Sequence, residues 1–374
     1  MSGPLPNRVL LTTDAVGGVW VYAMELARVL AQRHVEMVLA VLGPGTSPAQ
    51  AAEAAALPGV TLVETGLALD WIAASREVLD QTAAALAALA RAYAVDLVQL
   101  HSPAWAATGR FPAPVIAVAH SCVGTWWRAM RGDAPPPEDF LWRMAAVRAG
   151  LLAADAVIAP SRAFAALTCQ VYNLPRLIEV VPNTRSAAAA PASGFRAGVL
   201  AAGRLWDGAK NIATLDAAAA MLPGVPVAAA GPLRAPHGAA VTLGAITALG
   251  TLDAPAMAAA MAGARIFAAP SIYEPFGLAV LEAAQAGLPL VLADIPGFRE
   301  LWEDAALFLP PTEPDAWAET LGALHARPLE CQERGRRARE RAAQYGTGPF
   351  AAAMCHHYRR VAHEPGRCAE GVAP

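Results

Sequence analysis

Short runs of β-branched and aliphatic residues alternate along this chain with longer stretches rich in Ala, Leu and Arg. In the first half the apolar runs fall at residues 8–11, 35–41, 60–63, 96–100, 115–119, 156–159 and 178–181, with helical patterns at 17–32, 76–93, 138–153 and 162–172. Strands that are apolar at every position, and are separated by helices, belong to a parallel sheet covered on both faces. The segment 184–194 then loses all periodicity in SAAAAPASG, as a linker does. A second series follows, with strands expected at 198–202, 225–230, 241–245, 265–268, 289–293 and 306–309, and helices at 212–221, 254–262, 278–286 and 314–326. The tail is helical at 329–343 and 349–361. The pattern predicts an α/β protein of two Rossmann-like, doubly wound domains facing across a cleft. A length of 374 residues allows each domain a core of its own.

Composition narrows the functional classes. Apolar residues make up 56% of the chain, but much of this is Ala, and no run reaches the roughly 18 apolar residues of a membrane span. The longest candidate, 239–262, is broken by Gly244, Gly250, Asp253 and Pro255. The opening MSGPLPNRVLLTTD lacks the basic segment and apolar core of a secretion signal. Five scattered cysteines without C-x-x-C predict reduced thiols and a cytoplasmic protein. A net charge of −3 gives no electrostatic basis for nucleic-acid binding. The mixed charges from Glu330 to Arg341 read as the solvated face of a helix.

Four loops at the carboxyl ends of predicted strands carry chemistry, where open α/β sheets bind ligands. Gly17 and Gly18, in TTDAVGGVW, open a helix and let backbone N–H groups approach an anion or a sugar. The spacing is not that of a dinucleotide fingerprint. His120, in the loop AHSCVGTWWR, follows a strand directly and stands at the cleft edge, as a structural histidine or a functional one. The third loop, GRLWDGAKN, holds Arg204 and Lys210, the only lysine among 28 Lys and Arg positions. A planar fork and a compact ammonium on one loop suit a diphosphate. The fourth, PSIYEPFGLAVLEAAQAG, places Glu274 before a helix that starts near Gly277, and Glu282 in its second turn. Both carboxylates can accept hydrogen bonds from sugar hydroxyls, while N–H groups of Phe276, Gly277 and Leu278 face phosphate.

These motifs, with GGVWVYAMELARVL, DLVQLHS, VAHS, VIAPSRA, VVPN and ALFLPPTEPDAWAETL, run in one order over most of the chain. The whole resembles the retaining GT-B glycosyltransferases of family 4 (glycosyl transferases group 1). The resemblance implies that Arg204 and Lys210 hold the donor diphosphate, that Glu282 binds the ribose hydroxyls, and that Glu274 contacts the transferred sugar. It implies that backbone at Phe276, Gly277 and Leu278 meets sugar and phosphate. Gly17 and Gly18 would line the diphosphate and acceptor side, and His120 would face the sugar from the opposite domain. The implied domains are residues 1–185 on the acceptor side, 186–348 on the nucleotide-sugar side, and 349–374 as a helix returning to the first domain plus a tail. Asn183–Thr184 departs from the family's Asn-Gly turn.

The expected activity is metal-independent transfer, with retention, of a hexose-type sugar from a nucleotide-diphosphate sugar to a sugar, glycan or lipid-linked acceptor, in glycan or glycolipid biosynthesis. No D-x-D occurs, so no metal is expected; no cofactor is expected either, the nucleotide-diphosphate sugar being a substrate. The alternatives are a GT-B-fold sugar-nucleotide epimerase and a non-catalytic relative that binds sugar nucleotides. Trp126, Trp127 and Trp142, with Arg128, Arg131, Arg143 and Arg148, suit either an acceptor or a peripheral contact at the inner membrane face. The competing reading has the tryptophans packing the domain and the arginines solvating a helix.

Overall fold

The computed structural model describes residues 3–175, 178–186, 197–235 and 238–363. Two compact units emerge: Met1–Thr184 with Thr347–Pro374, and Arg185–Gly346. Of the expected linker, residues 187–194 lie outside the described residues.

In the first unit, β1 (Arg8–Asp14), β2 (Glu36–Leu42), β3 (Val60–Glu64), β4 (Leu97–Leu100), β5 (Val115–Val118), β6 (Ala156–Ala159) and β7 (Glu179–Val180) form one parallel sheet. Its order is β3-β2-β1-β4-β5-β6-β7. Leu10, Leu11, Leu97 and Ile116 are fully buried, which is why these strands read as continuous apolar runs. The helices start where serines supply caps: Ser75 accepts from the Val78 N–H at 3.4 Å and Ser161 from that of Phe164 at 3.2 Å. The last described helix, Thr347–His363, buries Phe350, Met354 and Tyr358 in the same apolar cluster as Trp20 and Tyr22 of the helix Gly18–Ala31.

The second unit repeats the plan with β8 (Val199–Ala202), β9 (Val227–Ala230), β10 (Thr247–Gly250), β11 (Ile266–Ala269), β12 (Leu290–Ala293) and β13 (Ala306–Leu309), ordered β10-β9-β8-β11-β12-β13. In each sheet the order reverses once, between β1 and β4 and between β8 and β11. Those switch points are where side chains can splay apart and admit a ligand.

Three expectations need correction. The strand expected at 241–245 forms instead at Thr247–Gly250. The Asp216 carboxylate accepts the backbone N–H groups of Gly244, Ala245 and Ile246 at 2.8–2.9 Å, and Val241 gives its own to the Leu233 carbonyl at 3.0 Å, which takes these donors away from a ladder. Burial alone would raise the Asp216 pKa, but these three bonds outweigh it and hold the carboxylate below its usual range. The expected loop after β5 is short, because Val123–Arg131 is helical. Helices at Pro48–Ala55 and Pro296–Trp302 also interrupt segments read without structure. The mixed-charge run does form an exposed helix face, with Arg334 on Glu330 at 2.8 Å and Arg337 on Glu333 at 2.9 Å.

Candidate active site

The second unit's switch point brings two distant loops together. β8 and β11 are neighbours, with Val199 beside Ile266, so the Arg204–Lys210 loop after β8 meets the Glu274 loop after β11. Lys210 pairs with Glu274, both side chains being mostly enclosed. The Lys210 loop is built to hold this position. Asp207 caps the turn by accepting the Ala209 N–H at 3.0 Å, and the Ala209 carbonyl accepts the Ile272 N–H at 2.8 Å. Asn211, in the left-handed region at φ 53°, donates to the carbonyls of Pro270 at 3.0 Å and Pro311 at 2.6 Å. Beneath, Gly231 at φ 141° leaves no room for a side chain, since a Cβ would stand 1.7 Å from the Gly203 carbonyl oxygen.

Arg204 extends into solvent from the same loop, with its guanidinium on Asp207 at 3.0 Å and 5.6 Å from the Trp206 ring centre. Its enclosed Nε atom has no hydrogen-bond partner. Gly277 takes φ 88°, a conformation that favours glycine, and starts the helix Leu278–Gln285 without a side-chain cap. Phe276 is buried and meets the Tyr345 ring edge-on at 5.7 Å, so its backbone is what remains for a ligand. Glu282 accepts from Arg185 Nε at 2.6 Å, and Gln285 donates to the Arg185 carbonyl at 2.8 Å. The structure thus gathers Lys210, Glu274 and the Gly277 turn at one strand end, while Glu282 follows on the helix with a cation of its own.

In the first unit, Asp14 ends β1 and its carboxylate accepts the Val16 N–H at 2.8 Å. Gly17 follows as the residue before the helix Gly18–Ala31, and no atom lies within 4 Å of where its Cβ would be. Open backbone here leaves space for a ligand's approach. His120, just past β5, sits among aromatic rings, 4.6 Å from Tyr22 and 4.9 Å from His101 between centres, both edge-on. Burial drops its pKa to about 4, and burial together with His120 holds His101 well below the usual range. Both imidazoles are therefore neutral at physiological pH.

Several groups of the tryptophan and arginine stretch find partners within the first unit, while Arg131 and Arg148 stand exposed. Arg143 donates to the Ala73 carbonyl at 2.6 Å and to Asp139 at 2.5 Å, with its guanidinium 4.3 Å from the Trp142 ring centre. Arg148 Nε donates to the Tyr172 carbonyl at 2.9 Å, and Arg128 pairs with Asp133. Trp127 donates to the Ala134 carbonyl at 2.7 Å. These bonds serve the domain's own packing.

Sequence reasoning missed Arg185, Asp207 and Asn211, and the cluster of Tyr22, Gln99, His101 and Tyr358. Asn211 stood beside the lone lysine, and its left-handed backbone is a conformation Asn tolerates. Arg185 had no such signal, because its partner lies 97 residues away.

Comparison with known proteins decides the family. Residues 16–185 match Glycosyltransferase Family 4, and residues 196–327 match Glycosyl transferases group 1. The chain belongs to the family 4, group 1 glycosyltransferases. This glycosyltransferase is 28% identical to a D-inositol 3-phosphate glycosyltransferase of Kineococcus radiotolerans, over 94% of the chain and 92% of that relative. Its fold is the two-domain GT-B architecture. It is similar to sucrose-phosphate synthase of Thermosynechococcus elongatus (TM-score 0.77, 21% identity, 95% of this chain and 99% of that one). It is also similar to HepE of Anabaena in complex with UDP and glucose (TM-score 0.71, 17% identity, 94% of this chain and 99% of that one). Among the described residues no helix of the glycosyltransferase is long and apolar enough to cross a membrane.

Proposed function

We propose that the protein transfers a hexose from a nucleotide-diphosphate sugar to a hydroxyl acceptor, with retention of anomeric configuration and without a metal ion. The observation that carries this reading is the Lys210–Glu274 pair beside the uncapped helix at Gly277. Departure of the nucleoside diphosphate builds negative charge on the β-phosphate. The Lys210 ammonium, the Arg204 guanidinium and a helix N-terminus stabilise that charge once phosphate has taken the place of Glu274. Glu274, released from Lys210 as phosphate replaces it, contacts the transferred sugar. Glu282, oriented by Arg185, accepts the ribose hydroxyls. In the first unit, the open backbone at Gly17 and Gly18 meets the diphosphate and acceptor side.

Neutral His120 suits a hydrogen bond to a sugar hydroxyl, since a low pKa keeps it from adding a second charge. Retention follows a same-face course in which the departing phosphate oxygen takes the acceptor's proton. HepE, solved with UDP and glucose, makes UDP-sugars the first donors to test. The test incubates purified protein with UDP- and GDP-sugars, with and without polyol and glycan acceptors. Nucleotide release and the anomeric configuration of the product are read by NMR. An inverted product, or no release with any donor, would overturn the reading.

A further inference from the structure

The first unit holds a buried polar network that the donor chemistry leaves unused. Tyr358 donates to Gln99 Oε1 at 2.8 Å, and Gln99 Nε2 stands 2.9 Å from His101 Nε2 and 3.5 Å from the Tyr22 hydroxyl. The Tyr22 hydroxyl in turn reaches Met354 Sδ at 3.6 Å. Directions follow from which atoms can only accept. A thioether sulfur accepts, so Tyr22 gives it the hydroxyl proton and must itself accept from Gln99. That turns the Gln99 amide nitrogen toward Tyr22 and His101, and its carbonyl oxygen toward Tyr358. The two amide hydrogens are then used, one on Tyr22 and one on His101 Nε2. His101 Nε2 is an acceptor and the ring proton lies on Nδ1, an enclosed atom without a partner.

Both ends of this network, Met354 and Tyr358, come from the helix Thr347–His363. The His101 and His120 rings meet at 89° and share contact with Tyr22. We propose that the C-terminal helix fixes the tautomer of His101 through Gln99, and that His101 as a positioning residue seats His120 against the transferred sugar. The second clause rests on the role given to His120 above; the first does not.

Of the ionisable groups near the network, Tyr22 faces both imidazoles and Tyr358 reaches His101 through Gln99, with Cys355 close to Tyr358. Asp70, with Asp14 near it, accepts at 2.7 Å from Ser102, the residue after His101. Among the described residues no carboxylate bonds either imidazole. Without the Tyr358 hydroxyl, the Gln99 amide can turn and offer Oε1 to His101. The ring then takes its proton on Nε2, or holds protons on both nitrogens.

The test uses the full-length protein labelled with ¹⁵N, with His101 assigned by comparison with His101→Gln. Long-range ¹H–¹⁵N spectra of wild type should show His101 neutral with its proton on Nδ1 down to about pH 5.5. Tyr358→Phe should move the proton to Nε2, or let the ring titrate closer to about 6.5. In the same variant the acidic limb of kcat/KM should rise by about one pH unit, with donor KM nearly unchanged. An Nε2 proton in wild type, or an unaltered tautomer in Tyr358→Phe, overturns the assignment. A changed tautomer with an unmoved acidic limb overturns the link to His120. Because the spectra need no turnover, they decide the first clause even if no donor is ever found.

Discussion

Lys210 and Glu274, 64 residues apart in sequence, form an ion pair because β8 and β11 lie side by side where the second sheet reverses its order. The chain's one lysine thus rests on a carboxylate, which the diphosphate replaces in the proposed mechanism. Lys210→Ala should cost about 10²-fold in kcat/KM or more, the scale of removing one preorganised charge donor. Lys210→Arg should also lose activity, since a fork does not replace a point contact in an enclosed pair. Glu274→Gln should bind free nucleoside diphosphate more tightly while turning over more slowly, because the competing carboxylate is gone. Near-normal turnover in Lys210→Arg, or weaker nucleotide binding in Glu274→Gln by calorimetry, would remove the phosphate role of this pair.

Gly231→Ala tests the foundation of the same loop. A methyl group there would meet the Gly203 carbonyl oxygen at 1.7 Å in a backbone conformation that disfavours side chains. The expected loss is about 2 kcal/mol or more in denaturant unfolding. Gly17→Ala, with no atom within 4 Å of the added carbon, should cost far less. Equal losses at the two positions would contradict the packing described.

Stability should fall on mild acidification. His101 and His120 are held neutral by burial, with His120 at about 4. Below about pH 6.5 the unfolded chain takes up protons that the folded chain refuses, so unfolding gains ground as pH drops toward 4. Each such histidine contributes a slope of up to about 1.4 kcal/mol per pH unit in that window. His120→Gln should flatten the curve of unfolding free energy against pH between 6.5 and 4. A slope unchanged by that substitution would show that His120 charges freely in the folded state.

Turnover should survive EDTA, with Mg²⁺ acting at most on the free nucleotide. In the proposed mechanism the leaving charge is met by Lys210, Arg204 and the Leu278–Gln285 helix. Abolition by chelator and rescue by Mn²⁺, measured as nucleotide release, would require a different mechanism.

The two-unit α/β plan was legible because the buried strands are unbroken apolar runs and the helices begin at recognisable caps such as Ser161. What misled was local chemistry that periodicity does not register. The run at 241–245 is apolar enough for a strand, yet Asp216 takes its backbone donors from 28–30 residues away. The site was legible to the extent that its residues are chemically unusual in this chain. Lys210 stands out against the arginines, and Glu282 stands out among apolar neighbours. Arg185 and Gln99 were not legible, because their importance lies in partners that only folding supplies.

The helix Thr347–His363 completes the core of a unit whose other residues end at Thr184. On the ribosome, the intervening Arg185–Gly346 emerges as an uninterrupted stretch and can finish its own sheet first. Until the helix Thr347–His363 has been made, Trp20 and Tyr22 of the earlier-made half lack the cover of Phe350 and Tyr358. A truncation before Thr347 should therefore leave the beginning of the chain, rather than the Arg185–Gly346 unit, without a finished core.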